Sequence, residues 1–224
     1  MNQHAPMFVL ASASPRRKQL LEQLDLEPVL WPADIDESVH ASESPRRYVE
    51  RMSSSKLCTA WRRFIESGRI NASKSLVMLA SDTSVIIDNK ILGKPENRAD
   101  FYVMMNRLSG NEHTVITGVS VGSRPALEGD VCDSSGHEAD TLPERQAHIL
   151  VETRVRFKVL SDREMDRYWA TGEPQDKAGG YGIQGKGAVF VEAIEGSYSN
   201  VVGLPLKETA ELLAAQGLDI WACS

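Results

Sequence analysis

The chain has 224 residues, 42% apolar and 25% charged, the mix and length of an ordinary globular protein rather than of a disordered or fibrous one. Its 25 basic side chains against 31 acidic ones give a formal net charge of −6, which argues against general binding to nucleic acid or to an anionic membrane while leaving room for a local basic pocket. Cys58, Cys132 and Cys223 are widely separated and odd in number, so neither a disulfide framework nor a metal-ligand spacing is expected and a cytoplasmic setting is; no stretch approaches the roughly 20 apolar residues of a membrane span.

In chain order, residues 7–12, "MFVLAS", read as a first strand rather than the end of a signal peptide, since no basic segment precedes them. A helix over 15–24 follows, with Ser14 as N-cap, Pro15 at its first position and Leu20, Leu21 and Leu24 as its apolar stripe. The acidic connector "PADIDESVHASESP" leads to a second helix from Pro45 to Gly68. "SLVMLASDTSVIIDN" reads as a long strand that turns at Asn89 and Lys90 and returns as "KILGKP". A helix over "ENRADFYVMMNRLSG" is closed by Gly110, and "EHTVITGVSVG" alternates as a strand. Residues 122–148 carry six acids, two arginines and no period; they read as a long mobile loop joining two antiparallel strands. "ILVETRVRFKVL" is the second of those strands, and "SDREMDRYWATG" a helix with a capping box of Ser161 and Glu164. A Gly-rich loop, "GEPQDKAGGYGIQGKG", a strand, "AVFVEAIEG", and a helix from Pro205 to Gln216 follow. This order predicts an α/β fold with a mixed sheet, in one domain over 1–224 with 122–148 inserted.

Two features break local rules. The first turn of the helix at 15 carries Arg16, Arg17 and Lys18, although a helix N-terminus is the positive end and favours acids. Exposed arginines costing a few tenths of a kcal/mol are one explanation. The other is an anion site, where free N–H groups, the dipole, arginine forks and the hydroxyls of Ser12 and Ser14 meet a phosphate. Asp82 interrupts "LVMLASDTSVII", and a buried carboxylate must be paired, protonated, metal-bound or set at a break facing a cleft. A turn satisfied by its own backbone competes with a general base or metal ligand.

Lys94, in "LGKP", is placed better than Lys56 to approach Asp82 by local chain geometry. Asp34, Asp36 and Glu37 form an acidic cluster able to supply oxygen ligands to Mg²⁺. Gly180, Gly182 and Gly185 satisfy GxGxxG, but a dinucleotide fingerprint follows a strand and opens a helix, the reverse of this order. That loop offers Asp176, Lys177 and Gln184, and a primary amide, both donor and acceptor, matches the edge of uracil or thymine. Met104, Met105, Tyr168 and Trp169 are assigned to packing.

The blocks "LASASPRRKQLL", "ASDTSVIIDNKILGKP", "RLSGNEHTVITGVSV" and "GEPQDKAGGYGIQGKGAVFVEAIEGSYSNVVGLPL" together resemble the signature blocks of the Maf-like nucleotide pyrophosphatases, in order and over nearly the whole chain outside 122–148. "DKAGGYGIQG" is similar to the branch that hydrolyses dTTP and UTP, not the one acting on 7-methyl-GTP. The resemblance implies an elongated mixed sheet flanked by helices, with two lobes and a central cleft, as in the inosine triphosphate pyrophosphatases. It implies cleavage between the α and β phosphates, a divalent cation (Mg²⁺ or Mn²⁺), and a cytoplasmic enzyme that is often a homodimer.

By motif, Asp82 matches the family's proton acceptor, and Arg16, Thr83 and Gln184 match positions linked to substrate choice. Ser12, Arg17, Glu37, Lys56 and Lys94 match other polar cleft positions, with Asp82 and Glu37 as the metal ligands. Ser81 replaces the usual alanine in "SDT", a hydroxyl expected to alter hydration beside the base. Competing readings are a pyrophosphatase of other or modified nucleotides on the same scaffold, a nucleotide-binding regulatory protein linked to cell division with little turnover, and a phosphatase releasing inorganic phosphate.

Overall fold

In the computed structural model, which describes residues 6–70, 73–126 and 142–221, one long strand organises the molecule. The elements are β1 (Met7–Leu10), α1 (Pro15–Glu22), β2 (Val29–Leu30), α2 (Pro45–Glu66), β3 (Leu76–Ile87), β4 (Lys90–Leu92), α3 (Arg98–Leu108), β5 (Glu112–Arg124), β6 (Arg145–Phe157), α4 (Asp162–Trp169), β7 (Val191–Glu195), α5 (Tyr198–Val202) and α6 (Leu206–Ala215). The seven strands form one open sheet in the order β2-β1-β3-β5-β6-β7, with β4 beside β3. Strand β1 runs parallel to β2 and β3, and every other pairing is antiparallel, so the sheet is mixed, as the alternation of helices and hairpins predicted.

Strand β3 is apolar on both faces, which is why it reads as a continuous hydrophobic run. Leu76, Met78 and Ala80 point one way and pack with Leu57, Trp61 and Phe64 of α2. Val77, Leu79, Val85 and Ile87 point the other way, into a core with Leu20 and Leu21 of α1 and Phe101 and Met105 of α3. Period-2 alternation therefore sends Asp82 toward α2, and Ser81 and Thr83 toward the opposite layer.

The register opens the sheet at one place. Along one edge β3 pairs with β5 from Leu76 to Ile86. Along the other it pairs with β1 only as far as Leu79, and with β4 only from Val85 onward. Residues 80–84 thus have no strand on that side, and Asp82 stands in the middle of the gap.

Several boundaries differ from the sequence reading. Helix α1 stops at Glu22, leaving Leu24 partly buried beyond its end. The hairpin turn falls on Asp88 and Asn89, both at positive φ (50° and 60°), with Lys90 already in β4; Asp and Asn tolerate that conformation. Strands β5 and β6 reach into the polar segment at both ends, pairing Gly122 with Gln146 and Ser123 with Arg145. The rest of the 122–148 reading rests largely on 127–141, outside the described residues. Residues 186–190 form a 3₁₀ turn before β7 rather than the start of a strand, and Pro205 caps α6 instead of occupying its first turn. The short β2 and α5 were not expected. No helix among the described residues is long and apolar enough to cross a membrane.

Candidate active site

The gap in β3 opens into a cleft of about 870 Å³. The turn after β1 and the start of α1 bring Ser12, Arg16 and Arg17 to it; β3 brings Asp82 and Thr83. Lys56 enters from α2, Glu37 from the acidic connector, Lys94 from the segment after β4 and Gln184 from the Gly-rich loop. All nine residues singled out in the sequence line this one hollow.

Asp82 is 8% exposed, and its carboxylate is paired. Lys56 Nζ lies 2.7 Å from Asp82 Oδ1 and 2.7 Å from Glu37 Oε1, so one ammonium bridges two carboxylates. Lys56, not Lys94, is therefore the contact of Asp82. The reason is helical spacing: Val49, Met52, Ser53 and Ala60 are buried on the sheet-facing side of α2, and position 56 falls on that same stripe. Lys94 is exposed at the rim, its charge felt by Glu37. Partial burial pushes the Glu37 carboxyl upward, but the Lys56 hydrogen bond and the charges of Lys56, Lys94 and Arg17 prevail and hold it below the ordinary value. Tyr48 donates to the Glu37 carbonyl at 2.9 Å. Burial, with the charges of Asp82 and Glu37, pushes its phenol up to about 12. Of the acidic cluster only Glu37 reaches the cleft; Asp36 accepts from the Ser38 N–H at 2.9 Å instead.

On the opposite face of β3, Arg17 stitches three segments together. Its Nε donates to Gly203 O at 3.0 Å, Nη1 to Ser12 Oγ at 3.1 Å and Nη2 to Thr83 Oγ1 at 3.1 Å. Two of its five N–H groups remain for an anion. Burial lowers its pKa from the usual value, and the Asp82 carboxylate opposes that shift.

Thr83 Oγ1 lies 3.0 Å from Thr117 Oγ1, which is 3.0 Å from Asn200 O. Arg17 can only donate to Thr83, and with the Thr117 proton on the Asn200 carbonyl the Thr83 hydroxyl donates to Thr117; its other acceptor, Gly203 O at 3.5 Å, also lies within the protein. The Thr83 hydroxyl proton is thus already placed inside the protein. Ser81 is fully buried and lies 3.1 Å from Gly203 O, on the face away from Asp82, so its hydroxyl does not hydrate the acid as its position in "SDT" had suggested.

Ser14 occupies the N-cap position of α1, but its side chain makes no cap hydrogen bond; its N–H donates to Ser12 Oγ at 3.1 Å. Pro15 carries no N–H and the Lys18 N–H donates to Ser14 O at 3.4 Å, so the first turn offers the cleft the N–H groups of Arg16 and Arg17. Arg16, partly exposed, lies 3.9 Å from Asp176 across the mouth. Gln184 is exposed and has no hydrogen bond among the described residues. What the sequence reading missed are the inner supports: Tyr48, Thr117, Asn200, the Gly203 carbonyl, and Tyr168, whose hydroxyl does more than pack (below). "SYSNVVGLPL" contains two of them without any local anomaly to mark them.

A family model described as "Maf-like protein" matches residues 7–216. Proteins named "dTTP/UTP pyrophosphatase" are similar along most of their length. The one from Myxococcus xanthus is 43% identical over 227 residues, covering 100% of each chain. That from Pseudoalteromonas atlantica is 42% identical over 212 residues, 95% of this chain and 98% of its own. That from Pseudoalteromonas translucida is 45% identical over 204 residues, 91% and 94% respectively. On this match, over almost all of its described length, the chain belongs to the Maf-like protein family.

Proposed function

We propose that the protein hydrolyses dTTP and UTP to the nucleoside monophosphate and pyrophosphate, clearing these nucleotides from the cytoplasmic pool. The observation that carries the reading is the cleft itself: a paired buried aspartate, arginines at an open helix N-terminus and an unbonded amide share one nucleotide-sized cavity. The names of the relatives point to the same substrates.

Among the described residues no three His, Cys, Asp or Glu side chains converge as a ready-made metal site. Asp82 and Glu37, held on one ammonium, nevertheless suit Mg²⁺ or Mn²⁺, which take one or two carboxylates and complete their shell with phosphate oxygens and water. These two residues would hold the ion, and when bound it supplies charge neutralisation on the phosphates and a more acidic water.

The protein's own groups do the rest. Arg16, the two free N–H groups of Arg17, the first turn of α1 and Lys94 bind the β and γ phosphates and stabilise the charge that develops on leaving pyrophosphate. Asp82 accepts the proton of the water that attacks the α phosphorus. Lys56 holds the Asp82 carboxylate in place. Gln184 offers its N–H and C=O to the paired acceptor and donor of the pyrimidine edge. Thr83 acts through Arg17, since its hydroxyl is engaged.

The test is product analysis with UTP, dTTP, ATP and GTP in the presence of Mg²⁺ or Mn²⁺. Pyrophosphate and monophosphate are expected, with kcat/KM highest for UTP and dTTP. Equal turnover of all four would remove the substrate preference, and binding without turnover would favour a regulatory nucleotide-binding role.

A further inference from the structure

The Gly-rich loop that looks like a phosphate cradle is already filled by the protein. The Glu173 carboxylate sits in its concavity: Oε1 accepts from Tyr168 Oη at 2.8 Å and from the Gly187 N–H at 3.2 Å, and Oε2 accepts from the Lys186 N–H at 2.9 Å. The Tyr168 hydroxyl in turn accepts from the Gly182 N–H at 3.0 Å. The glycines follow from this occupant. A Cβ at Gly185 would lie 2.4 Å from both Glu173 oxygens, and one at Gly187 would lie 2.7 Å from Tyr168 Oη. Neither distance is sterically tolerable, so any side chain at these positions displaces the carboxylate or the phenol. The peptide groups that a nucleotide phosphate would use are therefore spent on an internal anion. Gln184 lies between the two anchors, its own side chain unbonded.

We propose that Glu173 is the positioning residue for base selection: its carboxylate, with Tyr168, fixes the backbone on both sides of Gln184 and so aims the amide at the base. The inference rests on Gln184 reading the base. Glu173 touches no substrate in this account. Burial raises its carboxyl, but the two backbone donors, Tyr168 and the Lys177 charge prevail and keep it below the usual range, consistent with an ionised occupant of the nest. An amide cannot replace it. In Glu173→Gln one acceptor becomes an NH₂ group facing an N–H or O–H donor, and the turn must shift.

The experiment compares kcat/KM for UTP with that for N3-methyl-UTP, whose base edge has lost the N3–H donor and carries a methyl group in its place, so that neither orientation of the amide can pair with it. This ratio does not change when part of a preparation is inactive. In Gln184→Ala, Glu173→Gln and Tyr168→Phe the ratio is expected to fall about tenfold, the worth of one well-aimed hydrogen bond or so. The Glu173→Gln/Gln184→Ala double variant is expected to fall no further than Gln184→Ala alone. Glu164→Gln, which weakens the cap of α4 without reaching the loop, should lower Tm and leave the ratio intact.

An unchanged ratio in Glu173→Gln and Tyr168→Phe beside a reduced one in Gln184→Ala overturns the proposal alone. Additive losses in the double variant also overturn it. An unchanged ratio in Gln184→Ala overturns the reading of Gln184 itself. Should Glu173→Gln fail to fold, Tyr168→Phe carries the same comparison.

Discussion

The two walls of the cleft are built differently. Toward α2, the charged groups are bound to one another before any substrate arrives: Lys56 joins Asp82 to Glu37. Toward the Gly-rich loop, the backbone is pinned at Gly182, Lys186 and Gly187, while the side chain that faces the cavity, Gln184, is left free. The first wall has its geometry fixed by ion pairs, the second by the main chain. This division suits the two tasks proposed for these walls. A base must be held near one line of attack, whereas an amide that recognises a base must have its hydrogen bonds unspent.

The largest effect is expected from breaking the first wall at its centre. Asp82→Asn keeps the shape of the side chain and removes the proton acceptor. Turnover of UTP should fall about 10³-fold with Tm close to wild type, as read by steady-state kinetics and thermal unfolding; near-normal turnover would exclude Asp82 as the base.

The next effect separates the two lysines. Lys56→Met leaves two carboxylates facing each other without their ammonium and should lower kcat about 10²-fold, with lost stability as well. Lys94→Met, at the exposed rim, should chiefly raise KM. An unchanged kcat in Lys56→Met would mean that the Lys56 bridge has no part in turnover.

The third effect is on stability and leaves turnover aside: it lies on the loop wall and depends on pH. His113 is 2% exposed, its Nε2 2.8 Å from Tyr181 Oη, and Tyr181 stands in the Gly-rich loop. Burial lowers its pKa from 6.5 to about 4. The unfolded chain takes up a proton near pH 6.5 and the folded one only near 4, so this stability is fully present above pH 6.5 and is lost as pH falls toward 4. The loss is about 3 kcal/mol, measurable by denaturant unfolding across that range. His113→Phe should flatten this part of the profile; an unaltered slope would assign the acid sensitivity elsewhere.

What was legible in the sequence was whatever violates a local rule. Cations in the first turn of a helix and an aspartate inside an apolar strand each contradict a propensity, and Arg16, Arg17 and Asp82 are in the cleft; Lys18, of the same turn, is not and pairs with Glu22 one turn on. The strands and helices with clear periods were legible too, to within a few residues. The supports were not. Thr117 and Asn200 obey their local preferences, and only the β3–β5 register and the packing of α5 give them partners. Lys56 was ranked below Lys94 because proximity in the chain was weighed, although spacing along α2 held the better signal. The gap at residues 80–84 depends on where β1 ends and β4 begins, which no propensity fixes. The glycines at 180, 182 and 185 matched a dinucleotide motif that their place between a helix and a strand already spoke against; what no local pattern showed is that Gly185 makes room for the carboxylate of Glu173, 12 residues upstream, and Gly187 for the phenol of Tyr168.

The central claim is that water attacks the α phosphorus of a pyrimidine triphosphate held between these walls. Product analysis of UTP hydrolysis in H₂¹⁸O tests it most directly. ¹⁸O is expected in uridine monophosphate and none in pyrophosphate; label in pyrophosphate, or release of labelled inorganic phosphate with uridine diphosphate, would mean attack at another phosphorus.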